Sequence, residues 1–122
     1  MATISFSFIE IPVLDMDRAV KFYEYIMDIR LQAMEYAGAL MAFFPRKSGT
    51  PGCSLIKDDS YVPTTNGVLV YLDAWDDMDR ILERIETSGG QIALEKTMIS
   101  ENHYYAKFID SEGNQLAIFS TK

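Results

Sequence analysis

Few side chains in this sequence carry chemistry, so each can be weighed individually. There is one histidine, His103, and one cysteine, Cys53. The tetrapeptide Asp-Met-Asp-Arg occurs twice, at 15–18 and at 77–80, a spacing of 62 residues. Paired carboxylates could bind a cation, but a calcium loop needs a turn glycine at its sixth position and a bidentate glutamate at its twelfth. Counted from Asp15, those positions hold Val20 and Ile26. A structural role fits better. Asp15 and Asp77 can accept hydrogen bonds from the unpaired amides that open a helix. Asp17 and Asp79 then fall in the first turn, where the helix dipole favours negative charge. A single cysteine allows no intrachain disulfide, and nothing near Cys53 in sequence points to a lowered pKa. No glycine-rich phosphate loop and no G-x-S-x-G nucleophile motif occurs.

The elements around the repeat are legible. Residues 4–13, "ISFSFIEIPV", read as a strand, and Met16, Ala19, Val20, Tyr23, Ile26 and Met27 recur at helical spacing. "RLQAMEY", "ALMAFF" and "CSLIK" read as three more strands. A polar stretch at 58–66 reads as a linker, and the order then begins again. "VLVYLDA" is a strand, and Met78, Ile81, Leu82 and Ile85 form a helical stripe that stops at Gly89-Gly90. "QIALEK", "YYAKFID" and "NQLAIFS" close the set. The expected fold class is α+β: two tandem βαβββ modules, one over about 4–57 and one over about 67–120, in a single domain spanning 1–122. Asp28 stands where the matching helix end of the second module has glycine, and aspartate tolerates the left-handed conformation. Trp75, just before the second cap, reads as a hydrophobic staple on the second helix.

Composition limits the partners. Apolar residues make up 48% of the chain and charged residues 24%, which suits a packed core. The formal net charge is −7. Such a surface repels phosphate backbones and anionic lipid, so neither nucleic acid nor a membrane is an expected partner. No apolar run reaches the roughly 20 residues of a membrane span. The start of the chain lacks the basic segment of a signal peptide, so a cytoplasmic location is expected.

"FIEIPVLDMDRAVKFYEYIMDIRL", "VYLDAWDDMDRILERIETSGGQIAL" and "FIDSEGNQLAIF" together resemble the vicinal-oxygen-chelate superfamily of glyoxalases, bleomycin-resistance proteins and extradiol dioxygenases. The resemblance covers roughly residues 6 to 120. It implies that the two modules curve into an open cup with the helices outside, and that the chain forms homodimers, in some relatives with modules exchanged. In catalytic relatives the cup holds a divalent metal bound by His and Glu or Gln, and the metal chelates two neighbouring oxygens of the substrate.

Carried over by position, those ligands are missing. The residue seven before the helix-capping aspartate is Phe8 in the first module and Val70 in the second. The position four after the glycine of the final turn is Ala117, and no Asp, Glu, His or Gln lies between Glu35 and Asp58. Phe, Val and Ala offer no lone pair, whereas such metals need several donors at ~2.0–2.2 Å. No metal and no cofactor is therefore expected. If Phe8 faces the cup, strand alternation adds Phe6 and Glu10, then Val68, Val70 and Leu72, then Gln115, Ala117 and Phe119, with His103, Tyr105 and Lys107 beside them. A bulge would exchange these faces. Glu10 either pairs with Lys107 or faces water, and His103 is either a site residue or a solvated loop-edge residue. The expected function is binding of a small organic molecule in an aromatic cup. The alternative is a lyase, dioxygenase or isomerase using a displaced metal or acid–base chemistry from Glu10 and His103. A structural module with no ligand is a third reading.

Overall fold

A computed structural model describes residues 2–122. The chain runs β1 (Phe8–Pro12), α1 (Met16–Met27), β2 (Ala33–Tyr36), β3 (Ala39–Phe43), β4 (Gly52–Lys57), β5 (Tyr71–Trp75), α2 (Met78–Thr87), β6 (Gln91–Ser100), β7 (His103–Ile109) and β8 (Gln115–Ser120). Its strands form two open four-stranded sheets of the same order, β1-β4-β3-β2 and β5-β8-β7-β6. In each, the strand before the helix lies parallel to the last strand of its module, and the remaining pairs are antiparallel. The doubled βαβββ order anticipated from the repeat is thus the order observed.

The first helix starts as its sequence dictates. Asp15 is extended at φ −132, and its carboxylate accepts the Arg18 amide at 3.1 Å. The helix ends at Asp28, in the left-handed conformation at φ 55. Met16, Ala19, Phe22, Tyr23 and Ile26 form its buried stripe. The second helix buries Met78, Ile81, Leu82 and Ile85, but its Asp77 makes no side-chain cap. That carboxylate is drawn instead to Arg80, one turn along.

One apolar core joins the modules. Ile11, Val13 and Leu55 meet Phe108, Leu116 and Ile118 through the two helices. The Phe22 ring of α1 lies 6.3 Å from the Phe108 ring of β7. Gly90 is required here by space: a Cβ would stand 2.7 Å from Ile85, 2.9 Å from the Ile109 carbonyl and 2.9 Å from Phe22. Each fully buried Ile, Leu or Phe contributes about 1.5–3 kcal/mol to holding the layers together.

A second bond between modules is polar and comes from the β7–β8 turn, Asp110 to Asn114. Glu112 reaches across to α1, where its Oε1 accepts the Leu14 and Asp15 amides at 2.9 and 2.8 Å. The Arg18 guanidinium donates to both Glu112 oxygens, at 2.7 and 3.0 Å. Beneath it, the buried Tyr23 hydroxyl donates to Asp110 Oδ2 at 2.6 Å. Asp110 Oδ1 in turn accepts the Glu112 and Asn114 amides.

Trp75 is not a staple. It is 66% exposed and left-handed at φ 57. The β5–β8 register slips there, with Asp73 opposite Phe119 but Trp75 opposite Ser120. A bulky aromatic residue in this conformation costs on the order of 1–3 kcal/mol, so its surroundings must impose it. They do: Asp73 Oδ1 accepts its amide, while Ser120 Oγ and the Thr121 amide donate to its carbonyl.

Candidate functional site

A cavity of about 350 Å³ opens between β1, the segment before β5 and the start of β8. Phe8, Pro12, Val68 and Val70 supply apolar walls, and Glu10, Thr64, Asn114 and Gln115 supply polar groups. Asn114 fixes the end of the cleft. Its Nδ2 donates to the Pro12 carbonyl at 2.7 Å, and its Oδ1 accepts the Thr64 amide at 3.3 Å. The side chain thereby joins both walls, and it is positioned by the same turn that carries Glu112.

Five of the lining residues expected from the sequence meet in this cleft: Phe8, Glu10, Val68, Val70 and Gln115. The others do not line it. Phe6 precedes β1, which begins only at Phe8, and is 72% exposed. Leu72 packs against the core on the helix side, with Val70 touching the same core. The physical reason is the Trp75 bulge. It adds a residue between strand and cap, so counting back from Asp77 misphases β5: Tyr71 lies opposite Ala117, while Val70 and Leu72 both pack against the core and only Val70 also edges the cleft. Tyr71 stacks near Tyr105, with ring centres 6.4 Å apart.

On β7 and β8 the alternation holds. Tyr105 lies opposite Phe119, Lys107 opposite Ala117, and Ile109 opposite Gln115. His103 sits 5.6 Å from the Phe119 ring and shares a hydrogen bond between Nδ1 and Ser100 Oγ. It heads the exposed end of β7 and lines none of the cleft, so Glu10 and His103 are not gathered in one cavity. Lys107 forms no ion pair with Glu10 among the described residues.

The resemblance puts Phe8, Val70 and Ala117 at the ligand positions of catalytic relatives. Phe8 and Val70 both line the cleft, and the Ala117 amide donates to the Val70 carbonyl at 2.9 Å. None of the three side chains can donate to a cation, and no group of three or more His, Cys, Asp or Glu suited to a metal occurs among the described residues. The donor set does not fit the divalent metal that the family implies. The Phe8 ring lies over Gly52, where a Cβ would stand 2.7 Å from it, and 6.0 Å from the Phe43 ring. Ser54, in register between Glu10 and Phe43, is fully buried, and its hydroxyl has no partner among the described residues.

The sequence reading missed Thr64 and Asn114 as cleft residues. The D-x-x-G-N turn was the available signal, since an Asn placed after a tight turn is well placed to bridge neighbouring strands.

Two βαβββ modules of one strand order, open on one side and sharing a helix-bound core, define an α+β fold of the vicinal-oxygen-chelate kind. The chain belongs to the Glyoxalase/Bleomycin resistance protein/Dioxygenase superfamily, whose family model matches residues 5–118. Among solved structures, it is similar to a glyoxalase/bleomycin resistance protein from Albidiferax ferrireducens T118, at 18% identity and a TM-score of 0.73 over 94% of this chain and 97% of that one. A fosfomycin resistance protein from Listeria monocytogenes superposes with a TM-score of 0.66 at 16% identity, over 98% of this chain and 91% of that one. A glyoxalase I variant from Zea mays gives 0.70 at 17% identity, over 94% of this chain and 45% of that one. At such identities the likeness establishes the fold alone. No curated protein matches the chain. Among the described residues, no helix is long and apolar enough to cross a membrane.

Proposed function

We propose that this protein binds a small, largely apolar organic molecule in the cleft between β1 and β5, without a metal at the position its catalytic relatives use. The observation that carries this reading is the lining itself. Phe8, Val68 and Val70 give apolar walls to a cavity of about 350 Å³, and the resemblance puts Phe8 and Val70 where catalytic relatives have ligands. That volume and its apolar walls suit a small ligand oriented by a few polar groups, here Glu10, Asn114 and Gln115. A divalent ion placed there would lose its hydration shell and gain too few donors in return.

Calorimetric titration with Mn²⁺, Ni²⁺ and Zn²⁺ is the direct test, with no saturable heat expected. Saturation at one ion per chain ends the metal-free reading. In parallel, NMR titration with a panel of small aromatic compounds should move amides around Phe8, Val70 and Gln115 together. Val70→Trp, which fills the cleft, should abolish those shifts.

A homodimer is part of the same proposal. The outer strands β2 and β6 leave Met34, Tyr36, Met98 and Ile99 exposed. Free strand edges bearing apolar side chains favour pairing. Light scattering should give twice the 13.9 kDa chain mass.

A further inference from the structure

A second cavity, of about 400 Å³, lies where the end of α1 meets the junction of β5 and α2. It is separate from the β1–β5 cleft, and the two share no lining residue. Its floor is apolar. Ile26 and Ile81 are buried there, and Leu72 and Phe44 pack against the same core. Its rim is of opposite character. Of the four charged side chains around it, Asp73, Asp76 and Asp77 are acidic, and Arg80 alone is basic. Arg80 is committed to Asp77, while Asp76 enters no ion pair among the described residues. The side chains of the rim therefore carry a net negative charge, which the N-terminus of α2 offsets only in part.

Trp75 completes it. Its backbone is fixed, with the amide donating to Asp73 and the carbonyl accepting from Ser120 and Thr121, and the residue, which lines the cavity, is 66% exposed. An exposed tryptophan sharing an apolar hollow with acidic residues suits recognition of a cation through the ring face.

We propose that this cavity is a binding site for a small organic cation, a protonated amine or quaternary ammonium group carried on an aromatic or short alkyl body. The body fills the floor of Ile26, Phe44, Leu72 and Ile81. The cationic head stays at the rim, between the Trp75 ring and the carboxylates of Asp73 and Asp76. The volume, near the lower end for small-molecule sites, limits the body to about one ring. Anions are rejected by the rim charge, and a neutral compound of the same shape gains only the floor.

Trp75 is the only tryptophan, so its emission reports on the site directly. The full-length protein is titrated at low salt with benzyltrimethylammonium, with benzyl alcohol and with benzoate. A saturable emission change is expected for the ammonium compound only. Asp76→Asn should weaken it by up to about fivefold, the size expected for one partly exposed charge. Glu10→Gln, in the other cleft, should leave it unchanged. Calorimetry on Trp75→Phe gives a readout free of the indole and should show weaker, still saturable binding. Equal responses to benzyl alcohol or benzoate, an unsaturable response, or an Asp76→Asn variant that binds as before would overturn the proposal. Loss of binding in Glu10→Gln would overturn it too, because it places the cation in the cleft of β1.

Discussion

Replacing Glu112 by glutamine tests whether the β7–β8 turn holds the first helix in place. The Glu112 side chain has no exposed surface, whereas that of Arg18 is 52% exposed. Glutamine keeps Oε1 for the Leu14 and Asp15 amides. It turns Oε2, which accepts from Arg18 Nε and Ser111 Oγ, into an NH₂ group facing two donors. Hydrogen bonds to a charged group contribute about 1.5–3 kcal/mol each when buried, and the exposure of Arg18 lowers its share. A loss of about 3 kcal/mol is expected. For a chain of this length that lowers the thermal midpoint by roughly 10 °C.

The pH dependence carries a second signature. Burial would raise the Glu112 pKa, but Arg18, the Asp15 and Leu14 amides and Ser111 outweigh it and hold it below the usual carboxylate value. The unfolded chain therefore binds a proton at higher pH than the folded one. Stability from this group is complete above about pH 4.5 and is lost as the pH falls through the depressed folded value. Glu112→Gln should lack that acid-side decline, leaving a shallower curve below about pH 4.5. Urea melts across this range, with Arg18→Ala and the double variant completing a cycle, give the coupling. If both single variants melt within about 0.5 kcal/mol of the parent, the clamp contributes nothing and the reasoning fails.

Tyr23→Phe should cost about 1.5–3 kcal/mol, because Asp110 loses a buried donor; a denaturant midpoint unchanged from the parent would show that the other three contacts to Asp110 suffice. Ser54→Ala should stabilise the fold by about 1 kcal/mol, since it deletes a buried hydroxyl without a partner; a loss of similar size in calorimetry would mean that hydroxyl is bonded. Burial pushes the Cys53 thiol up to about 12. Folded protein at pH 8 should therefore resist iodoacetamide until denaturant is added, and alkylation at the rate of a free thiol would contradict the packing around β4.

The duplicated architecture was readable because period and capping agree at Asp15, Asp28 and the two buried stripes. Each is a local property that the chain expresses within a few residues. The phase of β5 was not readable. It depends on Trp75 adopting a left-handed conformation, imposed by Ser120 and Thr121 some 45 residues away in sequence. The same applies to Asp77, whose cap is pre-empted by Arg80 although its tetrapeptide matches the one that caps α1. The cleft was half legible. Phe8, Glu10 and Gln115 follow from strand alternation, and Val68 and Val70 reach the cleft from the segment before β5, but Thr64 and Asn114 enter through a side chain that bridges two walls, which no periodicity encodes. Phe6 was misplaced because β-propensity continues through residues 4–7, while pairing begins only where β4 offers a partner, at Gly52.

The reach of Glu112 over the start of α1 has a consequence for how this duplicated molecule can change. A self-sufficient half would have to satisfy the Leu14 and Asp15 amides and cover Phe22 with its own residues; here the later half supplies both, through Glu112 and Phe108. Once two repeats trade such parts, neither can be deleted, swapped for its sibling or expressed alone without exposing what the other shields. Severed halves should therefore be insoluble apart and regain order only when mixed.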